Sequence, residues 1–165
     1  MRFDPNSRRT KQGLKFQDEV QQELGKVFHE VTPVRDWLLS IDPHLSESQL
    51  NLLEQTWGDL VVRLSPAGEP IFVECVSLGG ENSRFPESKV KKFNGINKFY
   101  AFGWDGGETK FIPSWTWNAY ARKLESFQFE DVPFRAFTKW HITSVKKGCN
   151  GVLEFKALFE GTKTL

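Results

Sequence analysis

Two apolar, β-branched runs, Trp57 to Leu64 and Pro70 to Ser77, flank the turn-forming segment Ser65-Pro66-Ala67-Gly68-Glu69, and this pattern constrains the fold more than any other stretch. It predicts a β-hairpin. Asp59 opens the first strand and Glu74 lies near the end of the second, so antiparallel pairing sets them side by side at one sheet edge. Acids at such positions are ordinary in hairpins. Glu74 stands out because it interrupts the apolar run Ile71-Phe72-Val73 before Cys75-Val76, where a charge is costly without a partner or a task. Two converging carboxylates suit a hard divalent cation such as Mg²⁺ or Mn²⁺. Such a site supports metal-assisted phosphodiester hydrolysis.

On either side of the hairpin the chain reads as a mixed α/β protein. Residues 1–12 are polar and basic and read as a flexible arm that touches phosphates. From residue 13 to 29, Leu14, Phe16, Val20, Leu24, Val27 and Phe28 recur at helical spacing, with Gln17 and Glu19 flanking the stripe toward the carboxylate edge. Val31 to Leu39 fits a short strand and a short helix equally well. Ser46 and Gln49 form a capping-box pattern for a helix through Gln55.

After the hairpin, Leu78 to Pro86 reads as a glycine-opened loop without the G-K-[ST] ending of a P-loop. A helix from near Pro86 to Phe93 places Lys89, Lys92 and Phe93 close together, with a lysine able to lean toward Glu74. Phe99 to Trp104 and Thr109 to Pro113 read as strands joined by the Asp105-Gly106-Gly107 turn, and Ser114 as the cap of a helix through Leu124. Phe134 to Phe137, His141 to Val145 and Val152 to Phe159 read as added strands. The fold expected is a mixed central sheet flanked by helices: one domain over residues 13–165, with a core over 13–124 and a C-terminal extension over 125–165.

Composition narrows the partners. A net charge of +1 gives no global field to steer nucleic acid, so basic surface is local: Arg8-Arg9 with Lys11, Lys89 with Lys91-Lys92, and Lys146-Lys147. The only cysteines, Cys75 and Cys149, lack metal-ligand spacing and follow no secretory signal, which points to a reducing, cytoplasmic setting. His29, His44 and His141 are scattered, which argues against zinc. No apolar run is long enough to cross a bilayer, so no membrane partner is expected.

The order of features resembles the PD-(D/E)XK nuclease superfamily, and within it the phage-type Holliday junction resolvases. Gly13-Leu14-Lys15-Phe16-Gln17-Asp18-Glu19-Val20 with Leu24 is similar to the family's first helix, Gly58-Asp59-Leu60 to its Asp segment, and Ile71 to Ser77 to its acidic-x-Lys strand. The resemblance covers residues 13 to about 104. It implies a restriction endonuclease-like core and a Mg²⁺- or Mn²⁺-dependent DNA endonuclease acting on duplex or branched DNA, with a homodimer as one possible assembly. It also implies metal ligation by Asp59, Glu74 and the Cys75 carbonyl, and catalytic roles for Asp59, Glu74 and a lysine. Two positions depart from the pattern: Val76 stands where the triplet lysine belongs, and Gln17 where the first-helix acid belongs. Lys89 or Lys92 would replace the lysine, and Glu19 or Glu23 the acid. The alternatives are a catalytically inactive nuclease fold that binds nucleic acid, with Trp115, Trp117 and Tyr120 among its aromatics, or a protein-interaction module.

Overall fold

The computed structural model describes residues 8–79, 82–104 and 107–161. Helix α1 (Arg8–Gly25) leads into β1 (Glu30–Pro33), α2 (Val34–Ile41), α3 (Glu47–Trp57) and the hairpin β2 (Leu60–Arg63) and β3 (Ile71–Ser77). Next come β4 (Asn82–Pro86), α4 (Glu87–Lys92), β5 (Lys98–Gly103), β6 (Lys110–Pro113) and α5 (Ser114–Ala121). The chain continues through β7 (Ser126–Phe129), β8 (Val132–Thr138), α6 (Lys139–Ser144), β9 (Cys149–Asn150) and α7 (Gly151–Phe159).

The main sheet is mixed, in the order β1-β2-β3-β5-β6-β9, with β3 and β5 its parallel pair. Helix α1, the antiparallel meander β1-β2-β3, the crossover through α4 and the parallel strand β5 build the mixed central sheet flanked by helices that the sequence predicts. Side chains alternate across each strand, so the sheet buries two cores. Val61, Phe72, Tyr100 and Phe102 face α2 to α5, and Leu60, Val73, Phe99 and Phe111 face α1 and α7. Among the described residues no helix is long and apolar enough to cross a membrane.

The capping box of α3 forms as its sequence predicts: Gln49 N–H donates to Ser46 Oγ, and Ser46 N–H to Gln49 Oε1. The ambiguous stretch after residue 30 contains both forms, because Pro33 ends β1 and caps α2. Several expectations are corrected. Helix α1 begins at Arg8, inside the expected arm, whose residues 1–7 lie outside the described residues.

The expected loop after Ser77 holds β4, which joins β8 and β7 in a second, three-stranded antiparallel sheet because Phe85 is fully buried against Tyr100 and Trp117. The expected turn at 105–107 lies mostly outside the described residues. Ser114 is not the cap of α5: Pro113 takes that place, and the Ser114 hydroxyl donates to Gly95 O and accepts from Gly95 N–H. His141 to Val145 and Val152 to Phe159 fall largely in helices α6 and α7, not in strands. Phe155 and Phe159 lie one helical turn apart, and both rings reach Phe28 and Phe99. Apolar runs of that length do not distinguish strand from helix by themselves.

Candidate active site

The hairpin register builds the site. Leu60 pairs with Val73 and Val61 with Phe72, so the next step along the ladder sets Asp59 beside Glu74. Asp59 is clamped from both ends: its N–H donates to Val73 O at 2.9 Å, and its Oδ2 accepts the Cys75 N–H at 2.8 Å. Gly58 makes this entry possible. It ends α3 at φ 85°, and a Cβ there would fall 2.8 Å from the Phe93 ring and 3.0 Å from the Val73 carbonyl oxygen. Gly58→Ala is therefore expected to lower stability by about 1–3 kcal/mol. A denaturant titration reads that loss as a lower midpoint at unchanged slope.

Glu74, only 7% exposed, faces the α4 side of the sheet, where Lys89 Nζ donates to its Oε1 at 2.9 Å. The backbone of α4 is pinned from behind. The Tyr100 hydroxyl, on the residue that pairs with Glu74 across β3 and β5, donates to Asn118 Oδ1 at 2.8 Å and lies 3.3 Å from the Lys89 and Phe93 carbonyl oxygens. Asn118 Nδ2 donates to the Phe93 carbonyl. At the other end of α4, Arg135 of the second sheet pairs with Glu87 at 2.8 Å.

Electrostatics follow from two carboxyl groups sharing one ammonium. Burial first, and then the adjoining Glu74 charge, hold the Asp59 carboxyl well above the usual carboxylate range, although Lys89 and the Cys75 N–H pull the other way. Burial alone would lower the Lys89 ammonium, but the Glu74 and Asp59 carboxylates outweigh it and hold Lys89 above its ordinary value. Burial, Asp59 and Glu74 push the Cys75 thiol well up, so it remains a thiol. The Tyr100 phenol is raised by burial and by Glu74.

Asp59, Glu74, Cys75 and Lys89 thus come together, whereas two other candidates do not join them. Lys92 turns to α3 and donates to Gln55 Oε1 at 2.7 Å. Glu19 is exposed on α1, which covers the opposite face of the sheet, and lines a cavity with Lys15 and Trp104 instead of joining the carboxylates. Val76, at the third triplet position, packs against the core on the α4 side. Three residues near the site escape the sequence reading: Tyr100, Asn118 and Glu54. The Glu54 carboxyl on α3 is half-buried and raised by burial, with Arg35 offsetting part of the shift and Glu74 adding to it. The helix end just before Gly58-Asp59 was the only available signal for Glu54.

The donor set suits a hard divalent cation. Phe72 and Leu78 direct their N–H groups toward the β5 side, to Asn97 O and Gly103 O, so alternation turns the Cys75 N–H and C=O to the opposite edge, beside Asp59. Two carboxylates and a carbonyl on one edge are oxygen ligands of the kind Mg²⁺ takes while keeping several waters. Among the described residues no group of three His, Cys, Asp or Glu side chains encloses a metal.

No family model and no curated protein matches the chain. A solved structure of Archaeoglobus fulgidus Hjc, described as a Holliday junction resolvase from an archaeal hyperthermophile, is similar over 93% of this chain and 98% of that one, at 10% identity and a TM-score of 0.49.

Proposed function

We propose that this chain is a divalent-metal-dependent deoxyribonuclease whose working groups are Asp59, Glu74 and Lys89, carried by a single domain that begins with α1 at Arg8. The observation that supports the reading is the meeting of two carboxyls and one ammonium at the end of β3, with Lys89 2.9 Å from Glu74. Asp59, Glu74 and the Cys75 carbonyl would hold Mg²⁺ or Mn²⁺. When bound, such a cation polarises phosphoryl oxygens and makes water nucleophilic near neutral pH.

The chain's own groups have distinct tasks. Asp59 gives up its proton when it becomes a ligand, because only the ionised carboxylate binds metal. Lys89, held charged by its neighbours, donates to negative charge that develops on the phosphoryl group and does not act as a base. The Cys75 thiol is no nucleophile in its raised state.

The test is nicking of circular DNA, single-stranded and supercoiled duplex, with Mg²⁺ or Mn²⁺. Wild type is expected to nick, and Glu74→Gln to lose at least about a hundredfold in rate. Equal nicking by Glu74→Gln would refute the assignment. One feature favours a second reading, a nucleic-acid-binding module without catalysis: the direct Lys89–Glu74 ion pair. DNA binding in chelator with no nicking under any divalent cation would select it.

A further inference from the structure

Beside Lys89 lies a cavity of about 200 Å³, lined also by Cys75, Arg84 and Gln12. A second cavity, of about 500 Å³, is lined by Gln12, Lys15, Trp104 and Lys139. The two share Gln12, Ser77 and Gly79, so they form one cleft that runs from the site to Trp104. Helix α1 walls both parts; opposite it stand β4 and β8 of the second sheet beside Lys89, and the end of β5 with Trp104 and Lys139 further along.

The charge of this cleft is unlike that of the chain. Among the described lining residues Arg84, Lys89, Lys15 and Lys139 are cationic and Glu19 alone is acidic, although the whole protein carries only +1. Lys15 and Lys139 are both exposed. Lys139 sits with its Nζ 5.0 Å from the centre of the half-buried Trp104 ring, so a phosphate-binding cation and an aromatic ring occupy the same spot.

Compartments of about 200 and 500 Å³ have room for nucleotides of one strand and not for a duplex. A small basic channel with an aromatic ring on its wall is the form that tracks a single strand. We infer that the cleft from Lys89 to Trp104 and Lys139 binds single-stranded DNA, with backbone phosphates on Lys15 and Lys139, a base against Trp104, and the strand's next phosphate delivered to Lys89. That last placement rests on the nuclease reading; the binding does not.

The test is fluorescence anisotropy of the full chain in EDTA, with a labelled oligo-dT strand of about 20 nucleotides and a labelled duplex of the same length. The single strand is expected to bind at least about tenfold more tightly than the duplex. The exposed double variant Lys15→Ala/Lys139→Ala should bind the strand at least about fivefold more weakly, with its log–log salt slope reduced by about 1.4. Equal or tighter duplex binding, or an unchanged double variant, would overturn the inference. Strand binding without nicking under any divalent cation would overturn the nuclease reading and leave this inference standing. Glu74-dependent nicking without strand preference would do the reverse.

Discussion

Asp59→Asn is expected to make the protein more stable and, at the same time, inactive. The native carboxyl, half-buried beside Glu74, is held well above its usual range, so at neutral pH its ionisation works against the fold. Asparagine removes that charge, and its Oδ1 still accepts the Cys75 N–H. The gain should be about 1–2 kcal/mol near pH 7 in chelator, with nicking reduced about a thousandfold. The pH dependence has a defined sign. Above about pH 4 the unfolded Asp59 has released its proton while the native one retains it. The native state then binds more protons than the unfolded state, so stability falls as pH rises toward the raised native value. Asp59→Asn should flatten that fall, as thermal melts at several pH values in EDTA will show. A destabilised Asp59→Asn, or an unchanged pH slope, would mean that the carboxylates do not crowd each other.

Lys89→Met should have the opposite effect on stability. It strands Glu74, 9% exposed at its side chain, beside a second carboxyl. Breaking a buried pair from one side costs about 3 kcal/mol or more, because an uncompensated charge remains. Adding Glu74→Gln to Lys89→Met should return most of the loss, since the cost lies in the stranded charge and not in the missing methylenes. Urea titrations of the two single variants and the double variant measure the coupling. Nicking should disappear in all three. Additive losses would show that the ion pair contributes little and that Lys89 is held in place by the α4 backbone alone.

How far the site could be read in advance depends on how local its determinants are. The adjacency of Asp59 and Glu74 follows from hairpin register, which a turn and two apolar runs nearly fix. The capping box of α3 is similarly local. The choice between Lys89 and Lys92 was not legible, because both sit on the same short helix and its rotation is set from far away. Tyr100 and Asn118 grip its C-terminal end, and Arg135, 48 positions distant, grips Glu87 at its start. Glu19 shows the same limit: periodicity marks an amphipathic helix but not which face of the sheet it covers. The second sheet was invisible for a related reason. Pro86 and the glycines before β4 read as loop, and the burial of Phe85 that turns the segment into a strand comes from β5 and α5.

The central claim is that Asp59 and Glu74 form one oxygen site for a divalent cation, with the raised Asp59 proton displaced on binding. Calorimetric titration of Mn²⁺ into the full 165-residue chain, repeated in buffers of different ionisation enthalpy, counts both the cations bound and the protons released. The account predicts a single cation, proton release that shrinks as pH rises through the native Asp59 range, and no binding by Asp59→Asn. Undiminished binding by Asp59→Asn, or no binding by wild type, would contradict it.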